Sequence, residues 1–256
     1  MILARSLAFA IWFYAMTIVL SLAGPLIGMR DRRTAVAHAK LWGRLVLSGL
    51  RVLCGITWEV TGREHLPESG AALIASQHQS AFETFVWLLL VPDPTYVLKA
   101  ELARIPLVGA IMRRSGMIVV DRKAGAVAMR KMLDEAAAAV ADGRQIIIFP
   151  EGTRVAPGAR AKLHPGVVGI AARAGLPVIP ATVDSGRHWA RRALMKYPGV
   201  VHIAILPPIA AGTPRGVVMA RLDAAFAGSS PGAADPGDKS VGSTPSQFAG
   251  EPSALP

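Results

Sequence analysis

A chain of 256 residues is long enough for one domain of about 200 residues plus appendages. Its single cysteine, Cys54, excludes an intrachain disulfide and a cysteine-built zinc site and reads as a packed residue. A net charge of +11 calls for a phosphate-rich partner, but aromatics at 6% with no basic run interleaved among them argue against a single-strand nucleic-acid binder, and 52% hydrophobic content leans toward a membrane.

Ser6 to Met29 is 24 residues without a charge. As a helix it would extend about 36 Å, against a hydrocarbon core of about 30 Å. Arg5 precedes it, and Arg30, Arg32 and Arg33 follow, so the positive excess places the C-terminal side in the cytoplasm. The apolar run is long for a signal peptide and the basic cluster reads as stop-transfer, which favours an uncleaved membrane segment. Whether it spans or dips in as one leg of a hairpin stays open. Ala35 to Ile56 is the next helix. Lys40, Arg44, Ser48 and Arg51 share one face of it and large apolar residues cover the rest. Two readings stand: an interfacial helix on anionic lipid, or a core helix of the following domain.

From Thr57 the pattern is globular. Strands are expected at Thr57–Thr61, Ala71–Ala75, Thr95–Leu98, Gly116–Val120, Gln145–Phe149, Pro177–Ala181 and Val200–Leu206. Helices are expected up to Leu90 before Pro92, over Ala124–Ala141, over Val167–Ala174 closed by Gly175, and over Val217–Phe226. This alternation predicts an α/β fold: a mixed, largely parallel sheet flanked by helices, with an N-terminal membrane-associated helical segment. The predicted division is 1–56 for the membrane segment and interfacial helix, 57–227 for the sheet domain, and 228–256 for a Gly/Ser/Pro/Ala-rich tail that cannot bury enough apolar surface to order.

The chemistry gathers where strands end, as expected for ligands on such sheets. Ser76-Gln-His-Gln-Ser-Ala-Phe-Glu-Thr-Phe85 puts His78 between a strand and a helix, with Glu83 in reach. An imidazole, of reference pKa near ~6.5, beside a carboxylate that fixes its tautomer is the minimum equipment of a general base. The same residues also fit a helix start, with Ser80 as N-cap and Glu83 as its capping-box partner. Lys99 and Arg122 fall at the ends of consecutive strands, where phosphate is the usual reason to gather cations. In Phe149-Pro-Glu-Gly-Thr-Arg154, Gly152 permits positive φ or close backbone approach, its neighbourhood could offer N–H groups to an oxyanion, and Arg154 can fork onto phosphate. Val178-Ile-Pro180, running on to Val183-Asp-Ser-Gly186, reads as a stiff strand lining a pocket wall.

In this order and spacing the four stretches resemble the glycerolipid acyltransferase family, in particular its bacterial 1-acylglycerol-3-phosphate branch. The resemblance covers roughly residues 62–209. Two positions depart from the usual pattern: Glu83, where Asp is usual, and Gln77, where Asn is common. The resemblance implies that His78 deprotonates the sn-2 hydroxyl of lysophosphatidic acid. The oxygen then attacks the thioester of acyl-CoA or an acyl carrier protein, while Glu83 holds His78. It implies that Lys99, Arg122 and Arg154 grip the phosphate, with Glu151, Gly152 and Thr153 shaping that pocket. No metal, further cofactor or acyl-enzyme is required, and the site would face the cytoplasm at the inner membrane. Rival readings are acylation of another lysolipid such as a lyso-ornithine lipid, thioester hydrolysis by the same histidine, and non-catalytic binding of anionic lipid.

Overall fold

In the computed structural model, residues 1–26, 31–106 and 108–228 are described. The chain opens with two helices, α1 (Ile2–Leu26) and α2 (Arg32–Gly49). The 35–56 helix expected from the sequence is helical to Cys54, its last turn π-helical, and ends two residues short. A π-helical turn, Leu50–Cys54, follows α2, Gly55 takes a φ of 68°, and Ile56 already belongs to a strand. Then come β1 (Ile56–Thr61), β2 (Ala72–Ser76), α3 (Phe82–Leu90), β3 (Pro94–Lys99), α4 (Ala100–Ala103) and α5 (Val108–Arg114). They lead into β4 (Ile118–Val120), α6 (Gly125–Ala141), β5 (Gln145–Ile148), α7 (Gly166–Ala174), β6 (Val178–Val183), β7 (Gly199–Ile205) and α8 (Arg215–Gly228). The predicted disordered tail, Gly228 apart, falls on 229–256, outside the described residues, as does the 27–30 end of the predicted apolar segment.

The strands form one seven-stranded sheet in the order β1-β7-β6-β2-β5-β3-β4. Every neighbouring pair is parallel except β6 and β7. The carboxyl ends of β6, β2, β5, β3 and β4 therefore share one edge. Helices cover both faces, so the central strands are apolar throughout rather than alternating. Ile74 of β2 and Ile147 of β5 join a core with Val46, Leu47, Phe82 and Phe85, whereas Leu73, Ile146 and Ile148 join one with Met132, Val167, Ile170 and Leu222.

Helix α1 contributes to the first of these cores. Phe9 is fully buried, edge-on to Trp189 at 5.6 Å, and Phe13 meets Phe85 at 5.9 Å. Trp12 Nε1 donates to the Leu45 carbonyl at 3.0 Å, and Trp42 Nε1 to Thr17 Oγ1 at 3.1 Å. The opposite face shows Leu3, Leu7, Ile11, Ile18 and Leu22 to solvent. Helix α2 packs one face into the domain, as the core-helix reading expects. Val36, Ala39, Val46 and Leu47 are buried, while Arg44, Ser48 and Arg51 stay exposed and Lys40 Nζ donates to the Val91 and Pro92 carbonyls at 3.0 and 2.7 Å. Cys54 is packed as expected.

At the sheet edge remote from these carboxyl ends, Arg144 is 3% exposed and acts as a clasp. It donates to the carbonyls of Gly116 (2.7 Å), Ser115 (2.8 Å) and Pro94 (3.0 Å) and lies 3.3 Å from the Asp93 carboxylate. Arg144→Met should lower unfolding free energy by about 3 kcal/mol, because the Ser115 and Pro94 carbonyls lose this donor out of reach of water and the Gly116 carbonyl keeps only the Thr95 hydroxyl. The midpoint of urea unfolding measures this; an unchanged midpoint would show that water replaces the guanidinium.

Candidate active site

The loop after β2 enters the site because Gln77 and Gln79 anchor it to the neighbouring β6 segment. Val183 N–H donates to Gln77 Oε1 and Gly186 N–H to Gln79 Oε1, both at 3.2 Å. His78 between them is partly exposed. Its Nδ1 stands 3.3 Å from Oε2 of Glu83. Facing an ionised carboxylate, Nδ1 carries the hydrogen and donates it, which leaves the Nε2 lone pair for an incoming proton. Beneath the imidazole lies the ring of Phe149, stacked at 4.2 Å with a 21° tilt.

Glu83 is the second residue of α3 and 1% exposed. Its carboxylate accepts the N–H groups of Gln79 (3.2 Å) and Ser80 (3.0 Å to Oε2), and Ser80 Oγ accepts the Phe82 N–H at 3.1 Å. The same carboxylate thus holds His78 and the loop that leads into α3, but the expected capping box is not formed: the N-cap is Ala81, which makes no side-chain cap bond, and Ser80 sits one residue before it. Ser185, just after β6, also donates its hydroxyl to Glu83 Oε1.

The loop after β5 closes the site from its other side. Glu151 Oε2 accepts the His78 N–H at 2.6 Å, and the His78 carbonyl accepts the Val155 N–H at 2.8 Å. Glu151 is 6% exposed; burial pushes its pKa up to about 8, with the nearby Glu83 charge adding to the rise and the His78 N–H opposing it. At neutral pH the carboxyl is therefore largely uncharged and sets no negative charge against an incoming phosphate. Gly152 has a φ of 65°, as its place in the turn requires. Its N–H donates to the Phe149 carbonyl at 2.9 Å, so of the N–H groups expected here for an oxyanion, that of Gly152 is used by the turn itself. Thr153 and Arg154 follow, half-buried. Burial and the positive Arg191 hold the Arg154 pKa below the usual guanidinium range, and the negative Glu83 opposes them, so Arg154 lies within electrostatic reach of the His78 partner.

Lys99 closes β3 and caps α4, and its side chain is exposed. Arg122 opens a 3-10 turn directly after β4; its side chain lies outside the described part of the structure. His78, the Glu151–Arg154 loop, Lys99 and Arg122 therefore follow β2, β5, β3 and β4, four adjacent strands whose carboxyl ends share one edge. Sequence reasoning missed the part played by Ser185. It had marked the Val183–Gly186 stretch only as a wall, and the hydroxyl after the strand was the available signal. Among the described residues no group of three or more His, Cys, Asp or Glu side chains converges as a metal site.

A family model described as Acyltransferase matches residues 57–184, which spans the whole of this edge up to Asp184. The chain is 33% identical over 183 residues to a 1-acyl-sn-glycerol-3-phosphate acyltransferase of Pseudomonas aeruginosa, covering 72% of this chain and 70% of that protein. It is 28% identical over 190 residues to the human alpha enzyme of the same description, covering 73% and 66%. The crystal structure of the 1-acyl-sn-glycerophosphate (LPA) acyltransferase PlsC from Thermotoga maritima superposes with a TM-score of 0.70 at 23% identity, over 89% of this chain and 95% of that one, so the fold is shared. With a family match over half its length and a relative at this identity and coverage, the chain belongs to the acyltransferase family of enzymes.

Proposed function

We propose that the protein moves a fatty acyl group from a thioester, acyl-CoA or acyl carrier protein, to the sn-2 hydroxyl of 1-acylglycerol-3-phosphate, giving phosphatidic acid. The observation that carries this reading is the His78–Glu83 pair on the same strand edge as Lys99, Arg154 and the chain position of Arg122. His78 Nε2 takes the hydroxyl proton as the oxygen bonds to the thioester carbonyl carbon. Collapse of the tetrahedral adduct breaks the carbon–sulfur bond, and the imidazolium returns the proton to the departing thiolate. Glu83 stabilises the imidazolium in between. The names of the relatives, which are lysophosphatidate acyltransferases, support this acceptor.

A lipid acceptor also accounts for α1. The helix is long and apolar enough to cross a bilayer, yet one of its faces is bound along its length by the domain. Its free apolar face, with Leu3, Leu7, Ile11, Ile18 and Leu22, suits burial in one leaflet, with the site facing lipid at the cytoplasmic side of the inner membrane.

Purified protein, labelled acyl-CoA or acyl carrier protein, and a panel of acceptors test the reading. The expected result is label in phosphatidic acid with lysophosphatidate. Label only in a lyso-ornithine acceptor would assign another lysolipid, and free fatty acid without acceptor would assign hydrolysis. Arg154→Ala should raise KM for lysophosphatidate about tenfold or more and lower kcat less, because a guanidinium on phosphate contributes binding in ground and transition state alike. An equal fall in kcat with unchanged KM would place Arg154 elsewhere in the reaction.

A further inference from the structure

The side chain of Glu83 has three torsions, and one of its oxygens must face His78 while the whole carboxylate is cut off from water. The N–H groups of Gln79 and Ser80 reach it from its own loop. Ser185 reaches it from the turn after β6, 102 residues further along the chain, and is itself fully buried. Its backbone is occupied separately: the Ser185 carbonyl accepts the N–H groups of His188 (3.0 Å) and Trp189 (2.8 Å), so the turn after β6 does not need the hydroxyl. That hydroxyl hydrogen is committed to Oε1, the oxygen turned away from the imidazole.

We propose that Ser185 is a positioning residue for the acyl transfer: it fixes Oε1 of Glu83 so that Oε2 alone meets Nδ1 of His78. Its action passes entirely through Glu83, and the inference rests on the acyl-transfer reading above. Ser185 touches neither substrate nor the reacting atoms.

The test uses full-length protein with acyl-CoA and lysophosphatidate. Ser185→Ala should lower kcat about 10- to 100-fold, the value of a hydrogen bond to a charged group, with both KM values within about twofold. Added to Glu83→Gln, it should change kcat less than about twofold, because the carboxylate it serves is gone. An unchanged kcat in the single variant, or the same loss in both backgrounds, overturns the proposal; the second outcome is what a merely structural serine gives. If Ser185→Ala melts more than about 10 °C below wild type, Ser185→Cys replaces it, and full activity with that weak donor is overturning. Failure of the wild type on every lysolipid would refute the acyl-transfer reading, not this one. The Nδ1–H proton resonance of His78 then decides: its loss in the variant supports the positioning role, and an unaltered resonance overturns it.

Discussion

His78→Ala should reduce acyl transfer by about 10³-fold, or about 4 kcal/mol of barrier, while leaving the fold intact. The loss is large because, among the described residues, the other carboxylates beside His78 are already committed. Glu83 is buried and already accepts from Gln79, Ser80 and Ser185, and Glu151 faces the His78 backbone. The fold should survive because those same donors still compensate the Glu83 charge after the imidazole is gone. The alanine removes only a partly exposed ring stacked on Phe149. Circular dichroism and melting temperature check the fold, and a radiolabel assay checks the rate. Co-sedimentation with anionic vesicles adds a third readout, since lipid binding through α1 and the basic residues should be unchanged. Activity within tenfold of wild type would sink the general-base assignment, and a variant with wild-type function would favour a non-catalytic lipid binder.

The strand edge was legible from sequence because each part of it is local. Ala72–Ala75 is an uninterrupted apolar strand, and His78 and Glu83 lie within one strand-to-helix junction, so neither needs the rest of the fold to meet. The two readings of that junction could not be separated by pattern, and the structure shows why: tying down the loop before α3 and holding His78 use the same oxygen of Glu83. What stayed hidden is long-range. Glu151 meets the His78 N–H from 73 residues away and Ser185 meets Glu83 from 102, contacts that exist only because β5 and β6 flank β2. A central strand order is not written in any one stretch. The antiparallel turn of β7 and the short helix α5 were hidden for a related reason. Val108–Arg114 carries two arginines and a glycine and shows little apolar periodicity, while Gly109 fits there because a Cβ would sit 2.2 Å from the Ala103 carbonyl oxygen.

The buried Glu151 gives the protein a pH-dependent stability with a definite sign. Its carboxyl titrates near 4.5 when unfolded and at about 8 in the fold, so between those values the folded state holds a proton that the unfolded state has lost. The stability from this group is complete below pH 4.5, falls as pH rises, and is gone above about 8; the shift corresponds to roughly 3–5 kcal/mol. Glu151→Gln keeps a carbonyl oxygen for the His78 N–H and removes the proton. Urea unfolding should therefore give similar stabilities for the two proteins at pH 5 and a more stable glutamine variant at pH 9. Parallel curves across that range would mean that Glu151 is charged throughout and paired in a way its surroundings do not suggest. The same titration reaches the reaction. Once Glu151 ionises, a second buried negative charge joins that of Glu83 behind the site meant for a phosphate, so KM for lysophosphatidate should climb above pH 8 in the wild type. The glutamine variant, with nothing to ionise, should lack that rise; a climb of equal size in both would move its origin to the lysine and arginine side of the site.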